Sequence, residues 1–159
     1  MNQPRLRSFG LRALLLTLMP LLSACGGVPF RMQAPEAFKR FEETDDFRYI
    51  TADGVRLRGR LLKNEPIADL AFWREALRGH LEKRGYVFQS EDCFRTAAGL
   101  DGCTLDFVLP HGAEDWVHSE TLFVRGEDLM LVEVAGPFAL YTPHKASLQA
   151  ALRTFEPGR

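Results

Sequence analysis

His118-Ser119-Glu120 is the stretch of this sequence whose residue types best suit chemistry. On a β-strand alternate side chains share a face, so the imidazole and the carboxylate stand on one side about 7 Å apart. Such a pair suits a metal ion, a small ligand or acid–base work in a cleft, weak hydrolysis included. A solvated strand face is the simpler competing reading. A zinc deaminase is excluded, because the P-C-x-x-C half of its signature is missing. The other histidines offer less: His111 is expected exposed in a loop, His80 partly buried at the edge of a helix stripe, and His144 facing solvent in a first helical turn. Ser90, Ser119 and Ser147 lack the G-x-S-x-G turn of a serine nucleophile, and Gly99-Leu100-Asp101-Gly102 lacks the Lys-Ser/Thr ending of a phosphate loop. No catalytic motif is present, so the chain reads as a non-enzyme without a cofactor or metal of its own.

Arg56, Arg58 and Arg60 alternate along an expected strand, which puts three guanidiniums on one face. They suit an anionic partner, such as lipid head groups, lipopolysaccharide phosphates or an acidic protein. The alternative is a solvated face on which they pair with acidic or aromatic neighbours. Three of the 20 basic residues and none of the 21 acidic ones precede Cys25, so the remainder carries a net charge of −4. That balance argues against nucleic acid, which needs a basic surface.

Cysteine and the amino-terminal region carry the address. Arg5, Arg7 and Arg12 precede an oily run from Ala13 to Leu22, apolar apart from Thr17, and small residues follow. These are the parts of a secretory signal peptide. The run falls short of the roughly 20 residues needed to span a bilayer. Leu22-Ser23-Ala24-Cys25 resembles the lipobox of bacterial lipoproteins. The resemblance implies cleavage after Ala24, a diacylglycerol on the Cys25 sulfur, and anchoring to membrane lipid. Gly26, where an aspartate would retain the protein at an inner membrane, implies by the same resemblance an outer-membrane location facing the periplasm. Residues 1–24 then form the signal peptide, 25–35 a lipidated tether and 36–159 a single domain. Export favours a disulfide between Cys93 and Cys103, across a hairpin loop centred near Ala98, that closes a short loop and contributes roughly 2–3 kcal/mol. A tight turn at Asp101-Gly102 would instead leave both thiols free.

The elements that must position these residues follow from periodicity. Pro35–Glu43 suggests a short opening helix. Phe47–Ile50 and Val55–Lys63 alternate around an Asp-Gly turn and predict a hairpin. Leu70, Trp73, Leu77 and Leu81 form an apolar helical stripe, with Asp69 as N-cap and Gly85 ending the helix. Four strands follow, around Val87, Leu105, His118 and Val132, then a last helix capped by Thr142 with Pro143 at its first position. The order β-β-α-β-β-β-β-α predicts an α+β fold, an antiparallel sheet flanked by helices in an αβα sandwich.

A hairpin, a helix ending Arg84-Gly85-Tyr86, a turn around Gly99–Gly102, paired strands and a final helix ending Leu152–Phe155 resemble the PsbP/Mog1-type fold. The resemblance spans about residues 45–156 and implies an accessory or assembly role rather than catalysis. Together the residues predict a membrane-anchored periplasmic lipoprotein acting as a non-enzymatic accessory or partner-binding module. Its expected partner is an envelope protein or anionic envelope component. A ligand- or metal-binding module, or weak hydrolase, built on His118 and Glu120 is the alternative.

Overall fold

A computed structural model of the chain describes residues 30–41 and 48–158. Cys25, the lipobox and the signal region lie outside the described residues, as does the side chain of His111. The described strands are β1 (Phe30–Arg31), β2 (Lys39–Arg40), β3 (Arg48–Ile50), β4 (Arg56–Lys63), β5 (Val87–Arg95), β6 (Asp101–His111), β7 (Glu114–Arg125), β8 (Asp128–Pro137) and β9 (Glu156–Pro157). Helix α1 spans Leu70–Lys83, and a last helical run comprises α2 (Phe138–Tyr141), a 3-10 turn at Thr142–His144 and α3 (Lys145–Leu152).

Seven strands form one antiparallel sheet in the order β2-β3-β4-β8-β7-β6-β5, while β1 and β9 make a separate pair. The α+β expectation holds. Both sheet faces are covered, each for a sequence reason. On one face the stripe Leu70, Trp73, Leu77 and Leu81 lies against Leu105, Phe107, Leu122, Leu129 and Leu131. Asp69 caps that helix, accepting from the Phe72 N–H at 2.8 Å, and Gly85 ends it at φ +88°. On the other face Leu148, Leu152 and Phe155 meet Val55, Val117, Phe123 and Met130. Phe123 and Phe155 stack there with centroids 4.0 Å apart.

The β3–β4 turn is tied by Thr51, whose hydroxyl accepts from the Val55 N–H and donates to Asp53. That donation holds the Asp53 carboxyl below its ordinary value. Between β4 and α1, the buried Asn64 donates to Ala68 O and Gly126 O and accepts from Trp73 Nε1 at 2.6 Å. One amide thereby fastens the helix start to the β7–β8 turn.

Three expectations change. The opening helix is absent from the described residues: Glu36–Ala37 make a turn and Lys39–Arg40 a strand that pairs with β3. The sheet edge offers Lys39 and Arg40 backbone partners that a nine-residue helix could not match. The domain boundary expected at residue 36 lies earlier, because Phe30 is buried in the core and pairs with Pro157. Residues 30–35 therefore belong to the folded body. Thr142 does not cap the last helix; its hydroxyl donates back to Phe138 O at 2.7 Å, and the helical run starts a turn earlier.

Cys93 and Cys103 are joined by a disulfide and sit directly opposite each other in the β5–β6 pairing. The hairpin turn runs Thr96–Leu100, with Thr96 N–H on Leu100 O at 2.9 Å and Gly99 at φ +80°. Its centre is at Ala98, as the bridge requires.

Candidate functional site

Helix α1 rests on β5, β6 and β7. Among the described residues α1 does not extend over the same face of β3 and β4, and strand register decides which side chains occupy it. Direct cross-strand partners share a face. The pairings therefore lay one row across six strands: Arg48, Arg58, Glu133, Glu120, Leu105 and Glu91. Like charges directly opposite each other destabilise a sheet. This row contains two such pairs, Arg48 beside Arg58 and Glu133 beside Glu120.

The neighbouring rows offset part of that cost. Arg60 brings its Nε to 2.6 Å from Glu133 Oε2. His118 hydrogen-bonds through Nε2 to Glu120 Oε1 at 2.7 Å. At the helix-covered end, Arg74 of α1 reaches Glu91 at 2.9 Å. Glu120 is only 4 % exposed, and its second oxygen is buried without a hydrogen-bond partner among the described residues.

Two clefts open on this face. The first, about 280 Å³, is lined by Phe41, Arg48, Arg56, Arg58, Glu133 and Ala135. Ala135 also lines the second, again about 280 Å³, walled by Tyr86, Leu109, Trp116 and His118. The Tyr86 and His118 rings stand 5.2 Å apart. One cleft is thus rich in guanidiniums and the other aromatic.

The expected site residues divide between these features. Arg56 and Arg58 are exposed and face the first cleft, but Arg60 is committed to Glu133, so the stripe is not three equal cations. Arg48, brought in by the β3–β4 register, takes its place in the wall. His118 and Glu120 do not form a solvated strand face. Their side chains are 17 % and 6 % exposed, and they bond directly rather than standing apart. His80 is exposed rather than partly buried, since it lies one position off the stripe. His144 is half-buried rather than solvent-facing, edge-on to Phe38 with centroids 5.4 Å apart and 3.7 Å from Asp53.

Neither Glu133 nor Arg48 is singled out by local sequence pattern. Glu133 alternates correctly within Leu129–Ala135, but only the alignment of β4, β7 and β8 reveals its neighbours. A polar residue at an inward position of an otherwise apolar strand was the one available signal.

The opposite face holds a second polar cluster. Asp106 accepts from Ser119 at 2.7 Å, Ser90 at 3.0 Å and Lys145 at 2.8 Å. Beside it Tyr141 is buried, and burial together with the Asp106 charge pushes its phenol up to about 12. Every oxygen of Asp106 is bonded, which marks this cluster as structural.

No family model and no curated protein matches the chain. Solved structures do. PA94 of Pseudomonas aeruginosa, a protein of unknown function, superposes with a TM-score of 0.60 at 14% identity, over 79% of this chain and 96% of its own. LpqN of Mycobacterium tuberculosis, involved in cell envelope biogenesis, gives 0.63 at 10%, over 82% and 83%. The cyanobacterial PsbP of Synechocystis gives 0.54 at 11%, over 86% and 98%. The fold is shared with PsbP. At these identities the likeness establishes architecture and says nothing of activity. Among the described residues no helix is long and apolar enough to cross a membrane.

Proposed function

We propose that this chain is a non-enzymatic accessory lipoprotein of the cell envelope, held by lipid on Cys25 at the outer membrane and facing the periplasm. It docks an anionic envelope partner in the cleft of Arg48, Arg56 and Arg58. The carrying observation is that Arg48, Arg56 and Arg58 line one cleft, with Arg48 directly opposite Arg58 in the β3–β4 pairing. Guanidiniums gathered in one cleft wall suit an anionic group, which accepts charge-assisted hydrogen bonds from them. The Cys93–Cys103 bridge is consistent with an oxidising compartment. The fold shared with LpqN, itself involved in envelope biogenesis, adds support. Tethering raises the effective concentration of the module toward partners in the same thin layer.

Two experiments test this reading. Alkyne fatty-acid labelling in cells is expected to mark the wild type and to vanish in Cys25→Ser; equal labelling of both removes the anchor. The full chain carrying Cys25→Ser is expected to bind vesicles rich in anionic lipid, with affinity falling as salt rises. Arg56→Gln with Arg58→Gln should abolish that binding. Salt-independent binding, or binding untouched by the two substitutions, refutes the arginine cleft. A second reading, a small-ligand module, draws on the aromatic cleft of Tyr86, Trp116 and His118.

A further inference from the structure

The acidic half of the cross-strand row has a different chemistry from the arginine half. Glu120 and Glu133 face each other directly on β7 and β8, and His118 lies two residues from Glu120 on the same side of β7. One imidazole nitrogen and one oxygen of each carboxylate lie within 4.8 Å of one another. Side-chain rotation brings donors at that separation onto a single ion, for which zinc takes nitrogen and oxygen at about 2.0–2.2 Å.

The second observation is Glu120 itself. Its Oε1 is spent on His118, yet its Oε2 is buried with no hydrogen-bond partner among the described residues. A buried carboxylate oxygen without a donor is a substantial cost. Sheets tolerate such a group when a cation or a proton completes it. The His118 side chain forms part of a cleft wall, so an ion held there has access to solvent.

We infer that His118, Glu120 and Glu133 form a binding site for one divalent transition-metal ion of the zinc class. One imidazole and two carboxylates suit zinc or a neighbouring first-row ion better than calcium, which takes six to eight oxygens. Three protein donors leave a coordination position open toward the cleft. Without metal, Arg60 occupies Glu133 as a resident cation at 2.6 Å, and Arg58 stands opposite the same carboxylate. Both arginines oppose a divalent ion, so Arg60 acts as the competitor that the metal must displace or share with. The cysteines Cys93 and Cys103, which also lie near Glu91, are bridged and offer no thiolate. Lipid attachment plays no part in this site, although Glu133 also lines the arginine cleft.

The test uses the full chain with Cys25→Ser, kept oxidised so that no free thiol competes. Zn²⁺ is titrated calorimetrically, and Co²⁺ by its visible absorption. One equivalent is expected to bind. Glu120→Gln, nearly the same shape, should weaken Zn²⁺ by about tenfold or more, while the metal-free variant melts no lower than its parent because a buried charge is gone. Arg60→Gln should tighten Zn²⁺ binding, a result that no purely structural role for the cluster produces. The absence of stoichiometric Zn²⁺ and Co²⁺ binding overturns the site. So does wild-type affinity in both Glu120→Gln and Glu133→Gln.

Discussion

Replacing Tyr141 by phenylalanine should change how stability depends on alkaline pH. Tyr141 is 6 % exposed, and burial, with Asp106 beside it, raises its phenol to about 12 from an ordinary value near 10. Below pH 10 the phenol is neutral in both folded and unfolded chains and the shift contributes nothing to the pH dependence. Above pH 10 the unfolded chain loses its phenol proton first, so it binds fewer protons than the native state and stability falls with rising pH. The fall ends near pH 12, where the native phenol also ionises. Two units correspond to about 3 kcal/mol in total, and about half of that is lost by pH 11. With a urea m-value of about 1–3 kcal/mol/M, the wild-type midpoint should drop by on the order of 1 M between pH 9 and 11 beyond any drop in Tyr141→Phe. Lysines and the other tyrosines titrate equally in both proteins and cancel in that difference. Urea unfolding followed by circular dichroism at half-unit pH steps supplies the comparison. Parallel curves for the two proteins over that window would refute the assignment of a raised phenol at Tyr141.

Two further outcomes rest on packing and cross-linking. A Cβ at Gly102 would come within 2.7 Å of Phe123 Cδ1, and that ring is fully buried and stacked on Phe155. Gly102→Ala should therefore cost about 1–3 kcal/mol. Gly79→Ala, where nothing lies within 4 Å in the middle of α1, should instead stabilise by roughly 0.5–1 kcal/mol; equal thermal shifts for the two would contradict the geometry. Replacing Cys93 and Cys103 together by serine should lower stability by about 2–3 kcal/mol, given a sequence separation of 10, and make it insensitive to reducing agent.

What could be read from the chain was whatever its own local periodicity determined. The α1 stripe, the Asp69 cap and the Gly85 stop are decided within one helix, and all three stand where spacing put them. The Thr96–Leu100 turn was legible too, because two cysteines at equal distance from its centre pointed to the same register. The site was harder. That Arg60 meets Glu133, and Glu133 meets Glu120, depends on β4, β8 and β7 lying side by side at one alignment. A slip of one residue would turn each of them to the opposite face. The His118–Glu120 pair was found by strand alternation, yet its burial depends on β6, β8 and the Tyr86 ring closing around it. His144 is half-buried because its packing partner, Phe38, comes from far upstream in the chain, beyond the reach of local periodicity.

The pairing of β1 with β9 has a geometric consequence for orientation. Gly158 O accepts from Arg125 at 2.9 Å, so both chain ends of the folded body gather beside the β7–β8 turn. His118 lies seven residues back along β7, about 23 Å away at strand rise. From Cys25 to Phe30 the chain can stretch at most about 18 Å. The arginine and aromatic hollows sit at the other end of the sheet, where Arg56 pairs with Ala135 and Trp116 with Pro137, so a partner seated there would not meet the chain ends.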